Sequence, residues 1–204
     1  MTTSELNTLA KEIHQNAIAH GWHDKPRSPM ETVVMIQSEL FEALEQYRNG
    51  KPAKYYECAA PSPFETEMIR GCGPVESGCL NTCAGHYGKP EGILFELADA
   101  VIRALDYLAQ MEEEAEGLIK CDNDVLIECD IEMPLPELIF CANLQFAAAG
   151  ISDIYDSERA EYLRGGIAII ETYCAGQGYD LDAAILEKHK FNKTRPYRHG
   201  GKII

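Results

Sequence analysis

The chain has 204 residues, 46% hydrophobic and 25% charged, which excludes wholesale disorder and suffices for one domain with a proper core, or for a small core with large insertions. With 33 acidic and 18 basic residues the net charge is -15, so the protein as a whole should not attract nucleic acid or an anionic membrane surface. No signal-like segment opens the chain and no apolar run is long enough to span a bilayer, so the expectation is a soluble, cytoplasmic protein.

Residues 4–20 carry Leu6, Leu9, Ile13 and Ala17 at helical spacing, and Gly21 stands where helix C-termini favour glycine. A polar loop, Trp22 to Arg27, follows and holds the only tryptophan. Ser28-Pro29-Met30-Glu31 then combines an N-cap serine, a proline at the first helical position and a capping-box glutamate. The helix it starts is expected to bury Val33, Val34, Leu40, Phe41, Leu44 and Tyr47, and to end at Asn49-Gly50-Lys51-Pro52. Residues 53–90 lose periodicity and are punctuated by Gly and Pro, so they read as irregular chain that needs a function or a metal staple.

Periodicity returns at about 91–111, with Leu94, Leu97, Val101, Leu105 and Leu108 on one stripe. The acidic run Glu112 to Glu116 leads into a second irregular stretch, 117–133. Residues 134–150 are apolar almost all round, which predicts a helix buried on several sides or in a subunit interface. A further helix is expected from an N-cap at Ser157 to Ala175, with Leu163, Ile167, Ile170 and Cys174 inward. The last, capped by Asp180, carries Leu181, Ile185 and Leu186 and is stopped by Pro196. No strand-like alternation or internal repeat stands out. The expected fold class is all-α.

Two of these helices carry acids three residues apart, Glu39 with Glu42 and Glu96 with Asp99, so each pair shares a helix face. The apolar residues between them place both helices in a core, with the acids at its edge. Four carboxylates gathered there would repel unless a cation neutralised them, and hard divalent ions such as Mg²⁺ take oxygen ligands of this kind. The C-terminal stretch has the opposite character. No acid follows Glu187, and Lys188, Asn192 and Arg195 recur at i, i+4, i+7. Arg offers a planar fork for phosphate oxygens, Lys a compact charge and Asn a donor to phosphate or sugar. A polyanion held between such a face and a carboxylate-bound metal describes a nucleoside triphosphate site. A solvated basic tail is the plain alternative.

The Glu-x-x-Glu of one helix, the Glu-Leu-Ala-Asp at 96–99 and the tail Lys-x-x-x-Asn-x-x-Arg-Pro-Tyr-x-His-Gly-Gly-Lys resemble the MazG-like branch of the all-α nucleoside triphosphate pyrophosphohydrolases. The Lys-Pro-Glu-Gly-Ile segment at 89–93 matches as well. The resemblance covers about residues 4–57, 86–109 and 178–204, and implies a single domain: a bundle of four core helices with insertions at about 58–85 and 110–177. It implies hydrolysis of a triphosphate between the α and β phosphates, giving monophosphate and pyrophosphate, an activity suited to cleansing a nucleotide pool. Carried over by position, Glu39, Glu42, Glu96 and Asp99 become ligands of Mg²⁺ or, in its place, Mn²⁺. One of the four, Glu42 first, becomes the candidate base for an attacking water. Lys188, Asn192, Arg195 and Tyr197 become substrate contacts. The resemblance also implies a homodimer or dimer of dimers with active sites completed across subunits.

Two departures matter. The family's fullest motif has a glutamate where this chain has Ser38, and 53 residues lie between Glu42 and Glu96, more than is usual. A di-iron carboxylate bundle would want Glu-x-x-His on two helices, and neither helix has it. Trp22 and His23 could stack on a base, or Trp22 could be a hydrophobic anchor. A nucleotide sensor of the same fold, binding with little or no turnover, is the alternative function.

The chain has eight cysteines, and without a secretory signal a disulfide framework is a poor expectation. Cys141 and Cys174 lie in helical patterns and read as small buried hydrophobes. Cys72, Cys79, Cys83 and His86, with Cys58 upstream, could hold a structural Zn²⁺ that staples the first insertion, or be free loop thiols.

Overall fold

One helix is buried along almost its whole length and the others gather round it. The computed structural model describes residues 1–57, 89–114 and 132–198, and within them the chain is mostly helical. The helices are α1 (Thr3–Ala19), α2 (Pro29–Arg48), α3 (Ile93–Glu114), α4 (Leu135–Ala149), α5 (Asp156–Gly176) and α6 (Leu181–Asn192). Helix α3 packs on α1, α2, α5 and α6, while α4 packs on α2 and α5. Phe95, Leu97, Ala98, Ala100, Val101, Ala104 and Leu105 of α3 are all buried, as a helix at the centre of a bundle requires. Each such large side chain contributes about 1.5–3 kcal/mol by leaving water.

Leu138 and Phe146 of α4 and Leu163 and Ile170 of α5 belong to the same hydrophobic core as Ile36 of α2 and Leu97 of α3. The two helices between 110 and 177 thus bury their apolar faces in the common core. Gly166 of α5 lies flat against the Phe146 ring, leaving no room for a Cβ. Among the described residues, no helix is long and apolar enough to cross a membrane.

The caps follow the sequence closely. Ser28 Oγ accepts from Glu31 N–H at 3.2 Å, while the Glu31 carboxylate accepts from Ser28 N–H at 2.8 Å. Asp180 Oδ1 accepts from Ala183 N–H at 2.9 Å, and Gly21 follows the C-cap of α1 with φ +77°. Helix α5, however, starts at Asp156 rather than after Ser157, because the Glu158 carboxylate accepts from Tyr155 N–H at 3.1 Å.

Three other expectations need correction. Helix α2 buries Val33, Ile36, Leu40 and Ala43, while Val34, Phe41 and Tyr47 are exposed, Phe41 by 56%. The helix is apolar on two sides, and packing selected the stripe running through Ile36 and Ala43. Leu186 of α6 is likewise exposed. Strand structure also occurs: β1 (Tyr55–Glu57) pairs antiparallel with β2 (Lys89–Glu91), Tyr55 facing Glu91. Three residues are too few to display a period of two, so this ladder left no pattern to read. It matters because β2 leads through Gly92, at φ +108°, straight into α3. A Cβ on Gly92 would meet Ala53 O at 2.7 Å, so only glycine permits this approach.

Candidate metal and anion site

The packing of α2 on α3 brings Glu39, Glu96 and Asp99 together, with a carboxylate oxygen of each within 4.8 Å of the others. Glu42, on the next turn of α2, is exposed and stands outside this triad, although its charge helps to raise the Glu39 pKa. The four expected acids are therefore three clustered and one at the rim. Glu39 and Glu96 are buried and Asp99 is partly so.

The chain balances this charge itself. Arg103 Nε, one turn beyond Asp99 on α3, donates to Glu39 Oε1 at 2.6 Å. Burial pushes the Glu39 carboxyl above its usual pKa despite Arg103. Lys188 of α6 reaches Asp99 Oδ2 at 3.0 Å and donates to the carbonyl of Pro90 in β2 at 2.9 Å. Glu96 carries the largest consequence. Burial raises its pKa to about 9, against the pull of Lys188 and with the help of neighbouring Asp99 and Glu91. Glu91 is itself paired with Lys89. At neutral pH, then, Glu96 holds a proton in the metal-free protein. Oxygen-only donors of this kind fit Mg²⁺ or Mn²⁺, and an ion entering the triad would displace that proton.

Lys188 is corrected in kind: it is 1% exposed and occupied by Asp99 and Pro90, so it positions a carboxylate rather than presenting a free charge. Asn192 Nδ2 lies 3.4 Å from Asp99 Oδ1, at the last residue of α6. Arg195 is not on the helix. Its place before Pro196 disfavours helical backbone, so α6 ends well short of that proline and Arg195 N–H closes a turn on Asn192 O at 3.2 Å. Arg195 nevertheless lines the same cavity as Asp99, Arg103, Asn192 and Trp22, a space of about 90 Å³. Tyr197 is exposed, donates to Asp24 and covers Gly21, so it straps the tail to the end of α1 and is not among the residues lining that cavity. His20 Nε2 at 2.9 Å from Arg195 O, and Arg198 N–H on His20 O at 3.0 Å, hold the same strap.

His189 is missing from the expected set. It is buried on α6, lines the cavity, and neither ring nitrogen has a partner within the protein; Asn192 Oδ1 is unpaired as well. Burial lowers the His189 pKa to about 4, so the ring is neutral and can both donate and accept. Buried polar atoms left open around a cavity call for a polar partner, water or ligand. Arg103 and Glu91 are likewise outside the expected site residues, although Arg103 sits four residues after Asp99, where helix geometry places it on the same face. Cys58, Cys72, Cys79, Cys83 and His86 lie outside the described residues. Of the two helical cysteines, Cys174 is buried and Cys141 half-buried.

The Glu96 proton predicts a pH response. The folded protein keeps this proton between about pH 4.5 and 9 while the unfolded chain releases it. Folding stability from this group is therefore lost as pH rises through that window. Urea denaturation of the metal-free protein should show a midpoint that falls with pH, more steeply than in Glu96→Gln, where the group cannot ionise. Identical slopes in the two proteins would refute the assignment.

Comparison of the chain with protein-family models, curated proteins and solved structures returns no match.

Proposed function

We propose that this chain is a divalent-metal-dependent nucleoside triphosphate pyrophosphohydrolase of MazG-like type, cleaving between the α and β phosphates. The observation that carries the reading is an oxygen-only carboxylate triad whose member Asp99 lines a small cavity together with the cation Arg195, the unpartnered His189 ring and the unpaired Asn192 Oδ1. Glu39, Glu96 and Asp99 would hold Mg²⁺, with Glu42 at the rim. When bound there, the ion supplies neutralisation of phosphate oxygens and a more acidic water.

The remaining roles fall to residues of the chain. Arg195 offers two parallel donors to phosphate oxygens, and burial makes its charge more effective than at a solvated surface. Asn192 Oδ1 and His189 are free to hydrogen-bond a sugar hydroxyl or a phosphate oxygen. Half-buried Trp22 provides a flat apolar wall on the same cavity for a base. Lys188 keeps Asp99 and β2 in place, and Arg103 balances Glu39.

The sequestered Lys188 favours one rival, a nucleotide-binding protein with little turnover. Incubation with a panel of normal and modified triphosphates plus Mg²⁺, followed by product analysis, separates the two. Monophosphate and pyrophosphate in equal amounts are the expected products; diphosphate and orthophosphate, or binding without turnover across the panel, would overturn the assignment. A homodimer accompanies the proposal, because α2 exposes Phe41 and Tyr47 and neighbouring α4 exposes Phe140 and Leu144. A monomer at micromolar concentration in sedimentation would remove it.

A further inference from the structure

A second convergence of ligand atoms lies about two turns further along α3, built from α1, the loop after it and Asp106. His14, His23 and Asp106 each place one ligand atom within 4.8 Å of the others. His14 Nδ1 is 2.7 Å from Asp106 Oδ1, and His23 Nε2 is 3.0 and 3.1 Å from the two Asp106 oxygens. The imidazoles meet edge to face with centroids 4.6 Å apart. The other nitrogen of His14, Nε2, lies 3.3 Å from Glu113 Oε2. The cluster lines a cavity of about 360 Å³, so an ion has a way in.

The two contacts of His14 decide what belongs there. If Nε2–H donates to Glu113, the neutral ring points the lone pair of Nδ1 at a carboxylate oxygen 2.7 Å away. Two lone pairs cannot face each other at that distance, so either a proton sits on the line between them or a metal ion bridges the two atoms from one side. Burial opposes a charge on His14, but Asp106 and Glu113 more than offset it and raise its pKa above the usual imidazole value. A metal bound by His14 and Asp106 would stand in place of a proton there. Carboxylate on the far nitrogen is the arrangement that fixes a ligating histidine's tautomer. The separations of 2.7–3.1 Å between donors approach the roughly 3.3 Å edge of a tetrahedron of zinc bonds to N and O.

We propose that His14 Nδ1, His23 Nε2 and the Asp106 carboxylate bind one divalent transition ion of the Zn²⁺, Co²⁺ or Fe²⁺ class, with Glu113 orienting His14. Imidazole donors select such ions over Mg²⁺, which distinguishes this site from the oxygen-only triad. Three protein ligands leave an open position toward the cavity. The proposal is independent of the triphosphate reading.

Untagged protein, stripped with a chelator and kept in excess Mg²⁺, is titrated with Co²⁺ and followed by visible absorption and elemental analysis. One Co²⁺ per chain with nitrogen and oxygen ligand-field bands is expected. His14→Gln and His23→Gln should each weaken binding more than about 100-fold, and Glu113→Gln about 10-fold. The triad variant Glu39→Gln should bind Co²⁺ unchanged. Gln at position 23 can still hydrogen-bond Asp106, so loss of the metal with helical circular dichroism intact separates ligation from structure. The proposal is overturned if folded wild-type protein binds no stoichiometric Co²⁺, if both histidine variants bind it as wild type does, or if the spectrum shows only thiolate charge transfer from the cysteines.

Discussion

Asp99→Asn is expected to lower Mg²⁺-dependent pyrophosphate release by at least about 10³-fold, while the helical circular dichroism stays that of the wild type. Asp99 is the residue on which the site's interactions converge. One of its oxygens meets Lys188 at 3.0 Å, the other lies 3.4 Å from the Asn192 amide, and it completes the triad with Glu39 and Glu96. The amide keeps shape and volume but removes the negative charge that a hard dication requires. Losing one preorganised charge contact in a shielded site costs on the order of 10²–10³ in rate, and losing the metal with it costs more. Glu39→Ala should fall to a similar level. The readout is pyrophosphate formed at saturating triphosphate and Mg²⁺. Full activity in either variant would remove the triad from the reaction.

How much of this was legible beforehand depends on whether the information was local. The start of α2 was legible because Ser28, Pro29 and Glu31 act within one turn, and their hydrogen bonds form as the spacing required. The acidic pairs were legible because a spacing of three fixes a shared face on any helix. Which of those acids would be buried was not, since it depends on the rotation of α2 against α3. That rotation turned Glu39 inward, left Glu42 at the rim and put Phe41 in solvent. The partners of Lys188 were out of reach for the same reason: Asp99 and Pro90 are about ninety residues away in sequence. His14, His23 and Asp106 form no motif at all, because α1, a loop and α3 each contribute one residue.

Lys188→Met is expected to destabilise the metal-free protein by about 3 kcal/mol, and Mg²⁺ is expected to restore part of the loss. A solvated lysine waiting for phosphate would cost almost nothing to replace, so the size of the effect decides between two roles. The ammonium is fully desolvated, and burial alone would lower its pKa; Asp99 and Glu96 more than reverse this and hold it above the usual lysine value. Methionine fills the volume but cannot satisfy Asp99 or the Pro90 carbonyl, and breaking a buried pair from one side typically costs 3–5 kcal/mol. The lower end applies because Asp99 is partly exposed and keeps some hydration. With Lys188 gone, a dication in the triad supplies the charge that the lysine gave to Asp99, so Mg²⁺ should bind the variant more tightly and raise its stability more than that of the wild type. Urea denaturation of both proteins, with and without Mg²⁺, measures each quantity. A variant as stable as wild type would return Lys188 to the role of free phosphate contact, and equal Mg²⁺ stabilisation in the two proteins would mean that the ion and the lysine do not share Asp99.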